Sequence, residues 1–193
     1  MGLFKKKVTM TTLNIKEKLR PEHRYSYYEK LLEEVLKKAK IGKVVGGGTM
    51  LLQGGEMMDC DVEIDCYKGK EDELLSLLQN LPLAKGSKLI VHSGDGDGDD
   101  SKEYPLGNLE GIGIYINGTD LPKEVYTSCD INVVAEELTK LLDEHMVLYS
   151  YWEGGKETGF FFYGESFEEM KKLVAPFLES YPLCQKSRVI QIA

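Results

Sequence analysis

The chain is expected to fold as an α+β protein built from two tandem βαββαβ lobes related by internal duplication, each an antiparallel sheet with helices on one face. Three observations predict this. The sequence repeats at an offset of 100 residues: Gln53-Gly54-Gly55-Glu56 answers to Glu153-Gly154-Gly155-Lys156, and Leu81-Pro82-Leu83-Ala84-Lys85-Gly86-Ser87 to Tyr181-Pro182-Leu183-Cys184-Gln185-Lys186-Ser187. Seven of the 40 paired positions from 53 to 92 are identical, and Leu74, Leu77, Leu78 and Leu81 share their apolar spacing with Val174, Phe177, Leu178 and Tyr181. Strand and helix patterns then follow one another in the same order in each half.

Val8 to Leu13 is rich in β-branched residues and reads as a first strand. Pro21-Glu22 opens a helix, where proline is tolerated, and Tyr28, Leu31, Leu32, Val35, Leu36 and Ala39 supply its apolar stripe. Gly42 is the expected stop. Lys43 to Leu52 is a second strand loosened by Gly46-Gly47-Gly48, and Gly54-Gly55 turns the chain into a third, Met57 to Tyr67. Lys70 to Leu81 is a helix ended by Pro82, and Lys88 to His92 a fourth strand. In the second half Gly111 to Asn117 is a strand, and Asp130 caps a helix carrying Val133, Val134, Leu138, Leu141 and Leu142. Val147 to Trp152 pairs with Thr158 to Tyr163 across Gly154-Gly155. Ser166-Phe167-Glu168-Glu169 opens the last helix as a capping box, and Arg188 to Ile192 closes the sheet. The order βαββαβ resembles a ferredoxin-like half. The repeat is firm over 53–92 and 153–192, whereas the front third of each half aligns poorly. The expected organisation is lobe 1 over 1–92, an acidic and Gly-rich linker over 93–107, and lobe 2 over 108–193.

A formal charge of −8, from 24 basic and 32 acidic residues, repels nucleic-acid phosphates and favours solubility or cationic partners. Met1-Gly2-Leu3-Phe4-Lys5-Lys6-Lys7 is followed by no apolar stretch of secretory type, and no segment has the length of a membrane span. Cys60, Cys66, Cys129 and Cys184 form no C-x-x-C pair and read as reduced thiols of a cytoplasmic protein.

The third strand carries Asp59, Asp61, Glu63 and Asp65 alternating with Cys60, Val62, Ile64 and Cys66, so all four carboxylates share one face. Mutual repulsion along a central strand calls for cations. These come either from ordinary cross-strand lysines or from a protein partner. The corresponding strand of the second half has no acids on that face. Gly159, Phe161 and Tyr163 stand there, and with Tyr115, Tyr149, Tyr151 and Trp152 they make a candidate aromatic docking or ligand-binding face.

Other motifs fall short of a chemistry. Asp95-Gly96-Asp97-Gly98-Asp99-Asp100 imitates the opening of a calcium loop, but Asp100 replaces the turn glycine and Leu106 the bidentate Glu, so it reads as linker. Gly46-Gly47-Gly48-Thr49 lacks phosphate-loop spacing. His23, His92 and His145 make no metal-ligand spacing, and Cys184 has no identifiable base.

No catalytic residue, metal ligand or cofactor is therefore assigned. The expectation is a non-enzymatic binding module for a cationic protein, with no nucleic acid and no membrane. By analogy of size, charge and lack of chemistry it is similar to bacterial immunity or antitoxin proteins. The alternative is a small-molecule-binding or regulatory protein with a pocket between the lobes, lined by the six rings. A third option places a divalent metal on the Asp59–Asp65 strand.

Overall fold

The computed structural model describes residues 7–92 and 101–193. Met1 to Lys6 and the calcium-loop imitation Asp95–Asp100 lie outside the described residues. The chain divides into two compact units, Met1–Met50 with Met58–Gly107, and Leu51–Met57 with Asn108–Ala193.

The first sheet has five strands: β1 (Val8–Ile15), β2 (Gly42–Leu51), β3 (Met57–Tyr67), β4 (Ser87–Val91) and β5 (Lys102–Leu106), in the order β2-β3-β1-β4-β5. The second has four: β6 (Glu110–Asn117), β7 (Met146–Glu153), β8 (Glu157–Gly164) and β9 (Arg188–Gln191), in the order β7-β8-β6-β9. The recorded pairings of both sheets are antiparallel. Counting within each lobe, both sheets read second-third-first-fourth, the ferredoxin-like order, and the first adds β5 at its edge. Helices α1 (Pro21–Arg24), α2 (Lys30–Ala39) and α3 (Glu71–Leu78) serve the first lobe; α4 (Lys123–Ser128), α5 (Ile131–Leu142) and α6 (Phe167–Ser180) serve the second. The α+β, two-lobed fold expected from the repeat is the fold observed.

Period-two and helical spacings decide what is buried. Leu13 and Ile15 of β1, Val62 and Ile64 of β3, Leu32 and Leu36 of α2, and Leu74 and Leu78 of α3 have essentially no exposed surface. In the second lobe Ile112, Ile114, Ile116, Phe160 and Phe162 meet Val134, Leu138 and Leu142 of α5 and Met170 and Val174 of α6 in one cluster. The 100-residue offset survives in three dimensions: Leu83 and Ala84 are buried before β4, as Leu183 and Cys184 are before β9.

Four expectations are corrected. The first long helix is interrupted by a π turn, Tyr25–Glu29, between α1 and α2, and Leu31 is exposed rather than part of its buried stripe. That helix stops at Lys40, which takes the left-handed conformation (φ 57°), and not at Gly42. Gly42 instead opens β2, where a Cβ would stand 2.5 Å from the Asp65 carbonyl oxygen. Part of the segment read as linker, Lys102–Leu106, is strand β5, paired to β4. Pro105 argues against a strand in sequence, yet an edge strand tolerates proline because one side needs no ladder donor. The short helix α4 was not expected at all.

The predicted helix starts hold. Asp130 Oδ1 accepts from Asn132 N at 2.9 Å, and Ser166 Oγ accepts from Glu169 N at 3.3 Å. Each satisfies an amide that the first turn leaves without a partner.

Candidate functional site

The acidic row lies on the helix-free face of the first sheet, and two of its four carboxylates are ion-paired from within. Lys16 Nζ sits 2.6 Å from Asp59, Asn14 Nδ2 donates to Asp61 at 2.8 Å, and Lys43 Nζ is 3.2 Å from Asp65. The register explains these contacts, because β1 runs beside β3 with Asn14 opposite Asp61. Glu63 is exposed. Lysines therefore pair with the two ends of the row, Asp59 and Asp65, while Asp61 has a neutral amide partner and Glu63 faces solvent between them.

The aromatic face is corrected in two respects. Tyr149 and Tyr151 do not share it: they stand opposite Phe162 and Phe160 and pack with the helix-side cluster. Tyr115, Phe161, Tyr163 and Trp152 do share the other face, but Tyr115, Phe161 and Tyr163 are buried, so they form no open docking surface. Glycines directly opposite, or two places away on the same strand, let the rings lie down on the sheet. A Cβ on Gly111 would meet Tyr163 Cε1 at 2.8 Å, one on Gly113 Tyr115 Cε2 at 3.0 Å, and one on Gly159 Phe161 Cζ at 2.9 Å. Tyr115 packs edge-on to Phe161, with centroids 5.8 Å apart. The Arg188 guanidinium carbon stands 4.4 Å above the Tyr115 ring, while that side chain donates to both Glu157 oxygens at 2.9 and 2.6 Å. Tyr115 Oη donates to Glu56 at 2.6 Å. Burial, then the Glu56 carboxylate, pushes the Tyr115 phenol well above its ordinary range, and Arg188 holds Glu157 below the usual carboxylate range. This assembly is a fixed scaffold.

The open space lies elsewhere, at the corner where the first strand of the second lobe ends. A cavity of about 540 Å³ is bounded by Ile116, Asn117 and Gly118 at the end of β6, by Tyr126 to Asp130 leading into α5, and by Ile131, Thr158 and Leu183. A second, of about 270 Å³, runs on between α5 and β7 over Asn132, Ala135, Tyr149, Tyr151 and Phe160, and shares Ile131 and Thr158 with the first. Tyr149 stacks on Phe162 at 5.0 Å and on Tyr151 at 6.2 Å, which makes a flat aromatic wall. Asn117 fixes the corner: its Oδ1 accepts from Thr119 N at 3.0 Å and Asp120 N at 2.7 Å. Tyr126 Oη, 3.3 Å from that same oxygen, accepts from Leu121 N at 3.0 Å.

The same corner of the first lobe is closed. Glu17, 100 positions before Asn117, is completely buried, and Tyr28 reaches it as Tyr126 reaches Asn117. Neither Glu17 nor Asn117 was singled out from the sequence. Glu17 stands between Lys16 and Lys18, and the poor alignment of the front thirds hides the correspondence. Among the described residues no three His, Cys, Asp or Glu side chains come together as a metal-binding group. Among the same residues no helix is long and apolar enough to cross a membrane.

No known family model matches this chain. No curated protein matches it either. Solved structures similar in arrangement include a protein provisionally described as a glycine cleavage system transcriptional repressor (9% identity, 95% of this chain and 97% of that one, TM-score 0.32). An unknown protein from Galdieria sulphuraria aligns at 11% identity over 95% and 97% of the two chains, with a TM-score of 0.28. A protein from Lactobacillus acidophilus provisionally described as a monooxygenase aligns at 13% identity over 97% and 95%, with a TM-score of 0.32. The fold assignment rests on strand order alone, and what those proteins do stays with them.

Proposed function

We propose that the chain is a small-molecule-binding module whose site is the corner cleft of the second lobe. The observation that carries this reading is the pair of cavities, about 540 and 270 Å³, joined at Ile131 and Thr158. Their sizes bracket the lower range of ligand sites, and their lining is of the usual kind, apolar walls with a few placed polar groups. Ile116, Leu183, Tyr149 and Tyr151 offer apolar and aromatic surface; Thr158, Ser128 and Asn117 offer hydrogen-bonding groups. The ligand class this suits is a compact molecule with a flat apolar body and a polar edge. Both cavities lie within the second lobe. A fragment screen by protein-observed NMR tests it: hits should shift the Ile131 and Thr158 amides and be lost in Ala135→Trp. Hits scattered over the surface, or unaffected by the filled cleft, refute it.

A second reading, a cationic protein partner of the kind that bacterial immunity proteins block, draws support from the first lobe. The exposed Val8 (41%) and Met10 (65%) lie on the same face as the acidic row, Met10 opposite Asp65. Apolar anchors beside carboxylates suit a basic protein surface. Affinity capture of a basic protein from the native host should weaken with Met10→Glu and slow with added salt. Association indifferent to both would end this reading.

A further inference from the structure

We propose that Glu17 is a proton-operated latch of the first lobe. Its neutral carboxyl donates to Tyr28, Tyr28 in turn donates to the Pro82 carbonyl, and loss of that one proton turns the Tyr28 hydrogen away from Pro82 and onto Glu17. Glu17 follows β1 and is wholly buried. Its Oε1 accepts from Ala84 N at 2.9 Å. Tyr28 Oη, on the π turn, lies 2.9 Å from Oε1, 2.8 Å from Oε2 and 2.9 Å from Pro82 O.

A phenol carries a single hydrogen. With Glu17 ionised, the carboxylate is the stronger acceptor and takes that hydrogen, so Tyr28 gives nothing to Pro82. With the proton on Oε2, Ala84 donates to Oε1, Glu17 donates to Tyr28 and Tyr28 donates to Pro82. Every hydrogen then has its own acceptor, and three chain segments are tied in one line. Protonation thus decides whether the π turn is bonded directly to the Pro82 carbonyl, while the Ala84 amide stays on Glu17 in either state.

The surroundings favour the neutral acid. From β3 the group close enough to interact is Cys60, whose thiol is pushed far up by burial and then by Glu17 itself. Arg24, which acts on Cys60 in the opposite sense, is ion-paired to Glu29 at 2.5 Å. Lys16, next in sequence, is held by Asp59 at 2.6 Å, and Lys18 flanks Glu17 on the other side. The segment before β4 presents the Ala84 amide and the Pro82 carbonyl, with Lys85 next in sequence. Burial outweighs the hydrogen bonds from Tyr28 and Ala84, which pull the other way, and raises the carboxyl to about 7. The latch therefore works near neutrality.

The test is a carbon-13 NMR titration of the glutamate carboxyls in the full chain, with Glu17 assigned by its loss in Glu17→Gln. The Glu17 signal should titrate near neutral pH, well apart from exposed glutamates. The Pro82 carbonyl carbon signal should shift over the same range, as that oxygen loses the Tyr28 hydrogen. Tyr28→Phe should remove that pH-linked shift. A Glu17 signal that titrates with the exposed glutamates overturns the proposal. So does one that titrates near neutrality while the Pro82 carbonyl signal stays unmoved. Both outcomes are read from the native chain, so failure of Tyr28→Phe to fold leaves the test intact.

Discussion

Replacing Glu17 with glutamine separates the proton from the shape of the side chain. The amide keeps an acceptor for Ala84 N and places a donor where the protonated acid has one, toward Tyr28 Oη. Glu17 moves from its ordinary 4.5 to about 7 on folding, mainly because burial disfavours the anion. Each tenfold preference for the proton is worth 1.36 kcal/mol, so the native fold gains about 3 kcal/mol from this group when it is protonated. The folded carboxyl binds its proton more tightly than the unfolded one. The gain is therefore complete below about pH 4.5, declines as pH rises, and is gone above about pH 7. Urea unfolding of the two proteins from pH 4 to 8 measures this directly, and the difference between them cancels the carboxylates they share. The variants should be nearly equal near pH 4, and Glu17→Gln should become the more stable by about 3 kcal/mol at pH 8. A difference that stays flat across this range, or that favours the wild type at high pH, refutes the reasoning.

Further outcomes follow from burial and close contact. Lys16→Met leaves the Asp59 carboxylate, whose side chain is 7% exposed, without its cation and should cost about 1–3 kcal/mol in chemical denaturation. Lys43→Met beside the more accessible Asp65 should cost less than about 1 kcal/mol. Gly111→Ala drives a methyl to 2.7 Å from Ile192 and 2.8 Å from Tyr163, and thermal unfolding should show a loss of about 1–3 kcal/mol. Asp130→Ala removes the cap on α5 and should cost about 1 kcal/mol by the same assay, with the amide of Asn132 exchanging faster.

Strand and helix identity were legible because they depend on local periodicity. Asp59 to Cys66 alternates through the middle of β3, and observed β3 has the bounds expected, Met57–Tyr67. The 100-residue offset carried the architecture, since equivalent segments reappear at equivalent places in two sheets of the same order. Yet one sequence likeness can conceal two physical causes. Gly54 and Gly55 are kept by positive φ angles of 105° and 84°. Gly154 has no such angle, and is kept because the Trp152 ring would stand 2.2 Å from a Cβ there.

The candidate site was far less legible. Pattern placed Tyr149 and Tyr151 with Phe161 and Tyr163, whereas strand pairing, which fixes parity, turned them toward α5 and made them one wall of the cleft. Pattern left the source of the row's cations open between cross-strand lysines and a partner, because Lys16 and Lys43 become its neighbours only when β1 and β2 flank β3.

The residues alone determined the repeated βαββαβ order, the apolar stripes and the helix starts at Asp130 and Ser166, since each depends on neighbours a few positions away. Tertiary structure decided that Glu17, set among lysines, loses all contact with water while Asn117, at the matching corner, borders open space. Burial is a sum over side chains brought together from distant segments. Here that sum makes one corner a sealed carboxyl and the other a cleft.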